Sequence, residues 1–213
     1  MARYVITGVA SGIGAKLCRV LKERGHEVIG FDIAEQAANV DRYIPLDMRD
    51  GDAVEAAATA LEGPIDGLCN NAGLPPRDGL EAAILQVNYL SQRRFTRALL
   101  DKLEPGGAIV NMASRAGQNW RANIDQVRRL TAITAPDDLA AFVASEGISP
   151  VRAYDLSKEA MILWTQAETE PLLARDIRIN SVSPGAVATR LLDDFARAFG
   201  ERMAVNVRRA GRA

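Results

Sequence analysis

Two rhythms of apolar residues alternate along this chain. Short runs rich in Val, Ile and Tyr, such as Tyr4-Val-Ile-Thr7, give way to longer stretches in which apolar residues return every three or four positions. A period of two marks strands and a period near 3.6 marks helices, so the alternation spells βαβ units. It predicts strands at 3–7, 27–32, 43–46, 65–70, 108–112 and 177–182, and helices at about 12–24, 52–61, 80–103 and 152–174. Strands joined through helices run parallel, and right-handed crossovers place helices on both faces, giving three α/β/α layers around a doubly wound sheet. The interval 115–153 is too long for a bare loop. Ile124, Val127 and Leu130 recur every third residue there, and Thr134-Ala-Pro-Asp137 reads as an N-cap with Pro just inside a second helix, so 115–153 is expected to be a helical insertion near the carboxyl ends of the strands. A packing role and a substrate-facing role remain open for it.

Composition narrows the class. With 213 residues the expectation is a single domain over 1–213, and 48% hydrophobic against 25% charged residues is a globular balance. Lys and Arg (26) nearly cancel Asp and Glu (27), which leaves no net field for nucleic acid or an anionic membrane. One histidine, His26, cannot support a multi-histidine metal centre, and no metal site is expected. Cys18 and Cys69 form no CxxC pair and read as buried thiols of a reducing compartment. The first residues run straight into an apolar strand and no 18-residue apolar run follows, so a cytoplasmic protein is the expectation.

The candidate chemistry lies at predicted strand ends. Thr7-Gly8-Val9-Ala10-Ser11-Gly12-Ile13-Gly14 leaves the first strand and opens the first helix, where glycines let backbone approach a phosphate and the helix N-terminus offers free N–H groups. Eighteen residues past Gly14, Asp32 ends the second strand, where a carboxylate can accept from both hydroxyls of an adenosine ribose and would repel a 2′-phosphate. No Lys or Arg follows it at once, which favours NAD (NADH) over NADP. A Gly-rich turn and a strand-end Asp can each be purely structural. Asp47 follows the third strand and Asn70-Asn71-Ala72-Gly73 the fourth, on the edge where doubly wound sheets bind ligands. Tyr154 and Lys158, four apart on one helix, share a face. With four Lys against 22 Arg, a chance Tyr-x-x-x-Lys arises in about one of 13 chains of this composition. Ser114 ends the fifth strand and Asn88 lies within a helix; either alone would be an ordinary cap or a solvated residue.

Taken in order, Thr7 to Gly14, Asp47, Asn70 to Gly73, Asn88, Ser114, Tyr154 with Lys158, and Pro184-Gly185 with Thr189 resemble the short-chain dehydrogenase/reductases over nearly the whole chain. The short segment 73–88 and the long one 114–154 resemble the bacterial 3α-hydroxysteroid dehydrogenase/carbonyl reductase branch. The resemblance implies a Rossmann-type fold and an NAD(H)-dependent oxidoreductase that interconverts a hydrophobic secondary alcohol and its ketone, steroid-like or aromatic. Tyr154 would be the general acid/base, Lys158 and a positive nicotinamide would favour its phenolate, Ser114 would hold the substrate oxygen, and Asn88 would hold a water that passes protons to Lys158. Cofactor contacts would fall on Gly8, Ser11, Gly12, Ile13, Gly14, Asp32, Asp47, Met48, Asn71, Ala72, Gly73, Tyr154, Lys158, Pro184, Gly185, Val187 and Thr189. Leu191, Leu192, Phe195, Phe199 and Met203 would stripe a substrate lid over 186–206, although such a stripe also suits ordinary packing. Family habit implies a homodimer or homotetramer. The family continues to one more helix and strand, so this sheet is expected to lack its last strand. The alternative to an enzyme is a catalytically silent NAD(H)-binding sensor or interaction module.

Overall fold

The structure, a computed structural model, describes residues 1–185, 187 and 192–200. Six strands form one sheet: β1 (Arg3–Thr7), β2 (Glu27–Asp32), β3 (Arg42–Pro45), β4 (Ile65–Asn70), β5 (Leu103–Met112) and β6 (Arg178–Val182). Every pairing is parallel, and the order is β3-β2-β1-β4-β5-β6. The chain winds outward from β1 through β2 to β3, then returns to place β4 on the other side of β1. That reversal leaves a crevice at the carboxyl ends of β1 and β4, where the outgoing loops part.

Alternation along the strands feeds two cores. Val5, Ile29 and Leu68 point to one face, where they meet Val54 and Ala58 of α2 (Gly51–Thr59) and Phe95 and Leu99 of α4 (Ser91–Leu99). Their neighbours Ile6, Val28 and Cys69 point to the other, against Cys18 of α1 (Gly12–Glu23). The first, second and fourth strands match the sequence expectation residue for residue, because each has an apolar centre buried on both faces.

The long helices depart from it. The segment expected at 80–103 is α3 (Glu81–Leu85), a π-helical turn (Gln86–Leu90) and α4, and it ends near Leu99. Leu103 belongs to β5 instead, pairing with Ile65 across a register shift, with Gly106 at φ 84° turning the strand. Helix α7 (Pro150–Ala167), which carries Tyr154 and Lys158, begins before the expected 152: Ser149 Oγ accepts from Arg152 N, and Pro150 takes the first turn, where its missing N–H costs nothing. The chain breaks at Glu168 before α8 (Thr169–Leu173).

The insertion after β5 is helical, as its pattern implied. It comprises a 3₁₀ turn (Arg115–Asn119), α5 (Ile124–Ala132) and α6 (Asp138–Glu146). The cap expected at Thr134 is instead Asp137, so Pro136 lies outside α6. Helix α5 packs on α7, and α6 packs on α3. Arg129 and Glu146 clamp α5 to α6 at 2.6 Å. Buried Arg93 of α4 donates to Tyr89 Oη and to the carbonyls of Thr131 and Ile133, which ties the insertion to the sheet-covering helices. Helix α9 (Leu192–Phe199) follows β6. No described helix is long and apolar enough to cross a membrane.

Candidate active site

A cavity of about 920 Å³ runs along the carboxyl edge of the sheet, from Asp32 at the end of β2 to Pro184 and Gly185 beyond β6. Its floor at one end is the turn after β1. Gly8 sits at φ 75°, and a Cβ there would lie 2.8 Å from Ala72 Cα. Gly12, at φ 55°, opens α1. Gly14 does not line the cavity but lets α1 close on the loop, since a Cβ there would lie 2.0 Å from Gly8 O. These positions bring bare backbone N–H groups and a helix start to one spot, a cradle for a phosphate.

Side chains lock that cradle to β4. Asn71 Nδ2 donates to the carbonyls of Thr7 (3.1 Å) and Gly8 (2.9 Å). Thr7 Oγ1 accepts from the amides of Asn71 and Ala72, both at 3.0 Å, and donates to Gln92 Oε1. Asp32 accepts from Ala10 N (2.9 Å) and Ala34 N (3.1 Å), which aims its carboxylate into the cavity. Ile33 beside it is 63% exposed, an apolar side chain left open at the cavity mouth. Asp47 also lines the wall, but its carboxylate is taken by Arg49 at 2.6 Å, and that hydrogen bond holds it below the usual carboxylate range. Met48 is buried behind it and accepts from Ser91 Oγ through its carbonyl.

At the other end Ser114, Tyr154 and Lys158 line one wall. Ser114 lies two residues past the end of β5 and caps the 3₁₀ turn, its Oγ accepting from Ala116 N at 3.1 Å. Burial pushes the Tyr154 phenol up to about 12, with Ser114 opposing the rise and the Asp155 charge adding to it. Lys158 Nζ donates to Met112 O at 2.8 Å and lies 5.7 Å from the Tyr154 ring centre. Burial lowers the Lys158 ammonium to about 8. Burial drives the two titrations apart, the phenol upward and the ammonium downward, and shifted groups one helical turn apart on a cavity wall mark a candidate site for proton chemistry.

The other residues singled out in the sequence fall as follows. Ser11, Gly12, Ile13, Asn71, Ala72, Gly73, Pro184, Gly185 and Val187 line the cavity. Asn88 lies behind the wall in the π-helical turn: Oδ1 accepts from Leu74 N (2.6 Å), and Nδ2 donates to Leu74 O and Ser157 Oγ. Its side chain therefore fixes the 73–74 turn against α7. Thr189, Leu191 and Met203 lie outside the described residues. Phe195 and Phe199 stand edge-on to the Tyr154 ring, with centroids 5.1 and 5.9 Å away. Asp194, 7% exposed, holds α9 to the loop after β4 through Arg77 at 2.6 Å.

Sequence reasoning missed Gln92, Arg49, Arg77 and Arg115 in this region. Gln92 left a signal, a polar residue on the apolar face of its helix. The arginines left none, because a surface arginine and a cavity arginine look alike in a sequence with 22 of them.

A parallel sheet of this order, with a glycine cradle at its switch point and a strand-end acid beside it, defines the Rossmann-type doubly wound class. The chain belongs to the short chain dehydrogenase family, which residues 3–125 match. It is 34% identical over 200 residues to a coniferyl-alcohol dehydrogenase of Pseudomonas sp. (strain HR199 / DSM 7063), covering 93% of this chain and 78% of that one. It is 27% identical over 195 residues to the 3-alpha-hydroxysteroid dehydrogenase/carbonyl reductase of Comamonas testosteroni, covering 90% and 75%. The crystal structure of the 3-alpha-hydroxysteroid dehydrogenase from Pseudomonas sp. B-0831 complexed with NADH superposes with a TM-score of 0.81, at 27% identity, over 97% of this chain and 81% of that one.

Proposed function

We propose that the protein is an NAD(H)-dependent oxidoreductase interconverting a hydrophobic alcohol, aromatic or steroid-like, and its carbonyl compound. The observation that carries this reading is that Ser114, Tyr154 and Lys158 share one cavity with the glycine cradle and Asp32. The residues fit a dinucleotide: a side chain at Gly8 would fill the cradle, and Asp32 is held facing the cavity by two backbone amides. Gly8, Ser11, Gly12 and Ile13 would hold the phosphates, Asp32 the adenosine ribose, and Lys158 the nicotinamide ribose. A carboxylate at Asp32 favours NAD over a 2′-phosphorylated cofactor. When bound, the nicotinamide supplies or accepts the hydride.

Every other step belongs to the chain. Tyr154 donates its phenolic proton to the carbonyl oxygen in reduction and takes the alcohol proton in oxidation. In the latter direction the phenol must ionise, and burial alone opposes that. The Ser114 hydroxyl and the Lys158 ammonium, charged below about pH 8, offset the cost. Ser114 donates to the oxygen on which charge develops. Asn88, through Leu74 and Ser157, positions the turn and helix on which this geometry depends. Phe195 and Phe199 extend the Tyr154 ring into an aromatic surface that matches a flat apolar substrate. The similarity to a coniferyl-alcohol dehydrogenase and to a hydroxysteroid dehydrogenase supports the same substrate chemistry.

The test is turnover of aryl and steroid alcohols by the purified protein with NAD or NADP, followed through the absorbance of the reduced nicotinamide. Oxidation of an apolar alcohol with NAD preferred is expected. No turnover of any alcohol or ketone with either cofactor would overturn the reading.

A further inference from the structure

Among the described residues, three arginines line the cavity: Arg49, Arg77 and Arg115. Two have a carboxylate. Arg49 pairs with Asp47 at 2.6 Å, and Arg77 pairs with Asp194 at 2.6 Å. Arg115 is half-buried, and no carboxylate lies within ion-pair distance of it among the described residues. Among the described residues, the acids lining the cavity are Asp32 and Asp47; Asp32 is toward the other end of the sheet, and Asp47 belongs to Arg49.

The position of Arg115 is fixed rather than loose. It follows Ser114 directly, its amide donates to Pro184 O at 3.2 Å, and its Cδ is 3.6 Å from where a Gly185 Cβ would stand. The stem thus lies across the 184–185 turn, between β5 and β6, and a bulkier residue at 185 would press on it. This is the opposite end of the sheet from Asp32 and the glycine cradle, so the guanidinium is remote from the adenosine ribose. Beside Ser114, Tyr154, Lys158 and Gln118, Leu74, Leu80, Phe195 and Phe199 give this end its apolar surface. A neutral hydrocarbon filling it would strip water from the guanidinium and give it no partner. A carboxylate would meet the fork of the guanidinium with two parallel hydrogen bonds.

We propose that Arg115 is a specificity-determining residue that takes a carboxylate on the substrate, so that the preferred substrate is an apolar alcohol or ketone carrying an acid group away from the reacting carbon. The proposal rests on the oxidoreductase reading above. It deepens that reading by assigning an amphipathic acid where an apolar lining alone would imply a neutral substrate.

The experiment compares 4-acetylbenzoate with 4-methylacetophenone, ketones of similar size that differ in the charge, for the wild type, Arg115→Gln and Arg115→Lys. The wild type is expected to prefer the carboxylate about tenfold in kcat/KM, an advantage that added salt erodes. Arg115→Gln is expected to raise KM for the acid about tenfold while leaving the neutral ketone, and the Kd of NADH measured by fluorescence, within about twofold. Arg115→Lys should restore part of the preference, because it keeps charge but loses the fork. Equal losses on both ketones, weaker NADH binding by Arg115→Gln, or no wild-type preference for the acid would each overturn the proposal. Turnover of the neutral ketone separates these results from failure of the oxidoreductase reading, in which neither ketone reacts.

Discussion

The two ends of the cavity are built by different means. At the β1–β2 end, side chains hold backbone: Asn71 grips two carbonyls of the glycine turn, Thr7 holds two amides, and Asp32 is fixed by two more. At the β5–β6 end, aromatic side chains hold one another. Phe195 and Phe199 stack at 6.0 Å and both abut Tyr154, while the ion pair of Arg77 with Asp194 joins α9 to the loop after β4. A polyanionic, invariant ligand needs fixed donors, whereas an apolar ligand needs only a surface that can be re-cut by exchanging side chains. Substitutions at the first end should therefore act through fold and cofactor together, and those at the second through substrate alone.

The sharpest break of that division is Gly14→Ala. Its methyl would meet Gly8 O at 2.0 Å and Asn71 Nδ2 at 2.6 Å, and neither can withdraw without opening the cradle. Destabilisation of about 3 kcal/mol and loss of NADH binding are expected, read by thermal melting and fluorescence titration. A stable variant that binds NADH normally would show that the cradle is not the nucleotide site.

Lys158→Met probes the boundary between the two ends. Turnover should fall about 100-fold or more. The variant also carries a pH signature. Burial lowers the Lys158 ammonium from its usual value near ~10.4 to about 8, so between those values the unfolded chain binds more protons than the folded one. Stability contributed by this site accordingly rises with pH from about 8 toward 10, and the methionine variant should lose that rise in urea midpoints measured across the window. A rise of equal size in both proteins would assign it to other groups.

Smaller effects follow at positions that support the site. Asn88→Ala strands the N–H and C=O of Leu74, at a cost of about 1–3 kcal/mol, which chemical denaturation will read. Phe195→Ala should raise KM for apolar ketones about tenfold, or about 1.4 kcal/mol, with the Kd of NADH unchanged. A changed Kd would mean that the two ends are mechanically coupled.

The same contrast governs what could be read in advance. The limits of β1, β2 and β4 were legible because each has a buried apolar centre bounded by polar residues or turn signals. Gly8 was legible because its positive φ leaves few residue choices, and Asp32 because a carboxylate ends the second strand at a set distance from the glycine turn. The early start of α7 was written in Ser149-Pro150 but masked by the tyrosine and lysine that drew the eye to 154–158. The π-helical turn at Gln86–Leu90 and the strand status of Leu103 were not legible, since both are set by partners far along the chain: Leu74 and Ser157 for Asn88, Ile65 for Leu103. Arg77 and Arg115 gain their meaning only from the cavity they enter.

The central claim is that Tyr154 moves the proton while the β1–β2 end holds the cofactor, and the most direct measurement is Tyr154→Phe assayed in parallel for NADH affinity and for turnover of an apolar ketone. The phenyl ring keeps the packing against Phe195 and Phe199 and removes only the hydroxyl. NADH affinity within about twofold of the wild type, with turnover lower by about a thousandfold or more, is the predicted result. Turnover at the wild-type rate would contradict it.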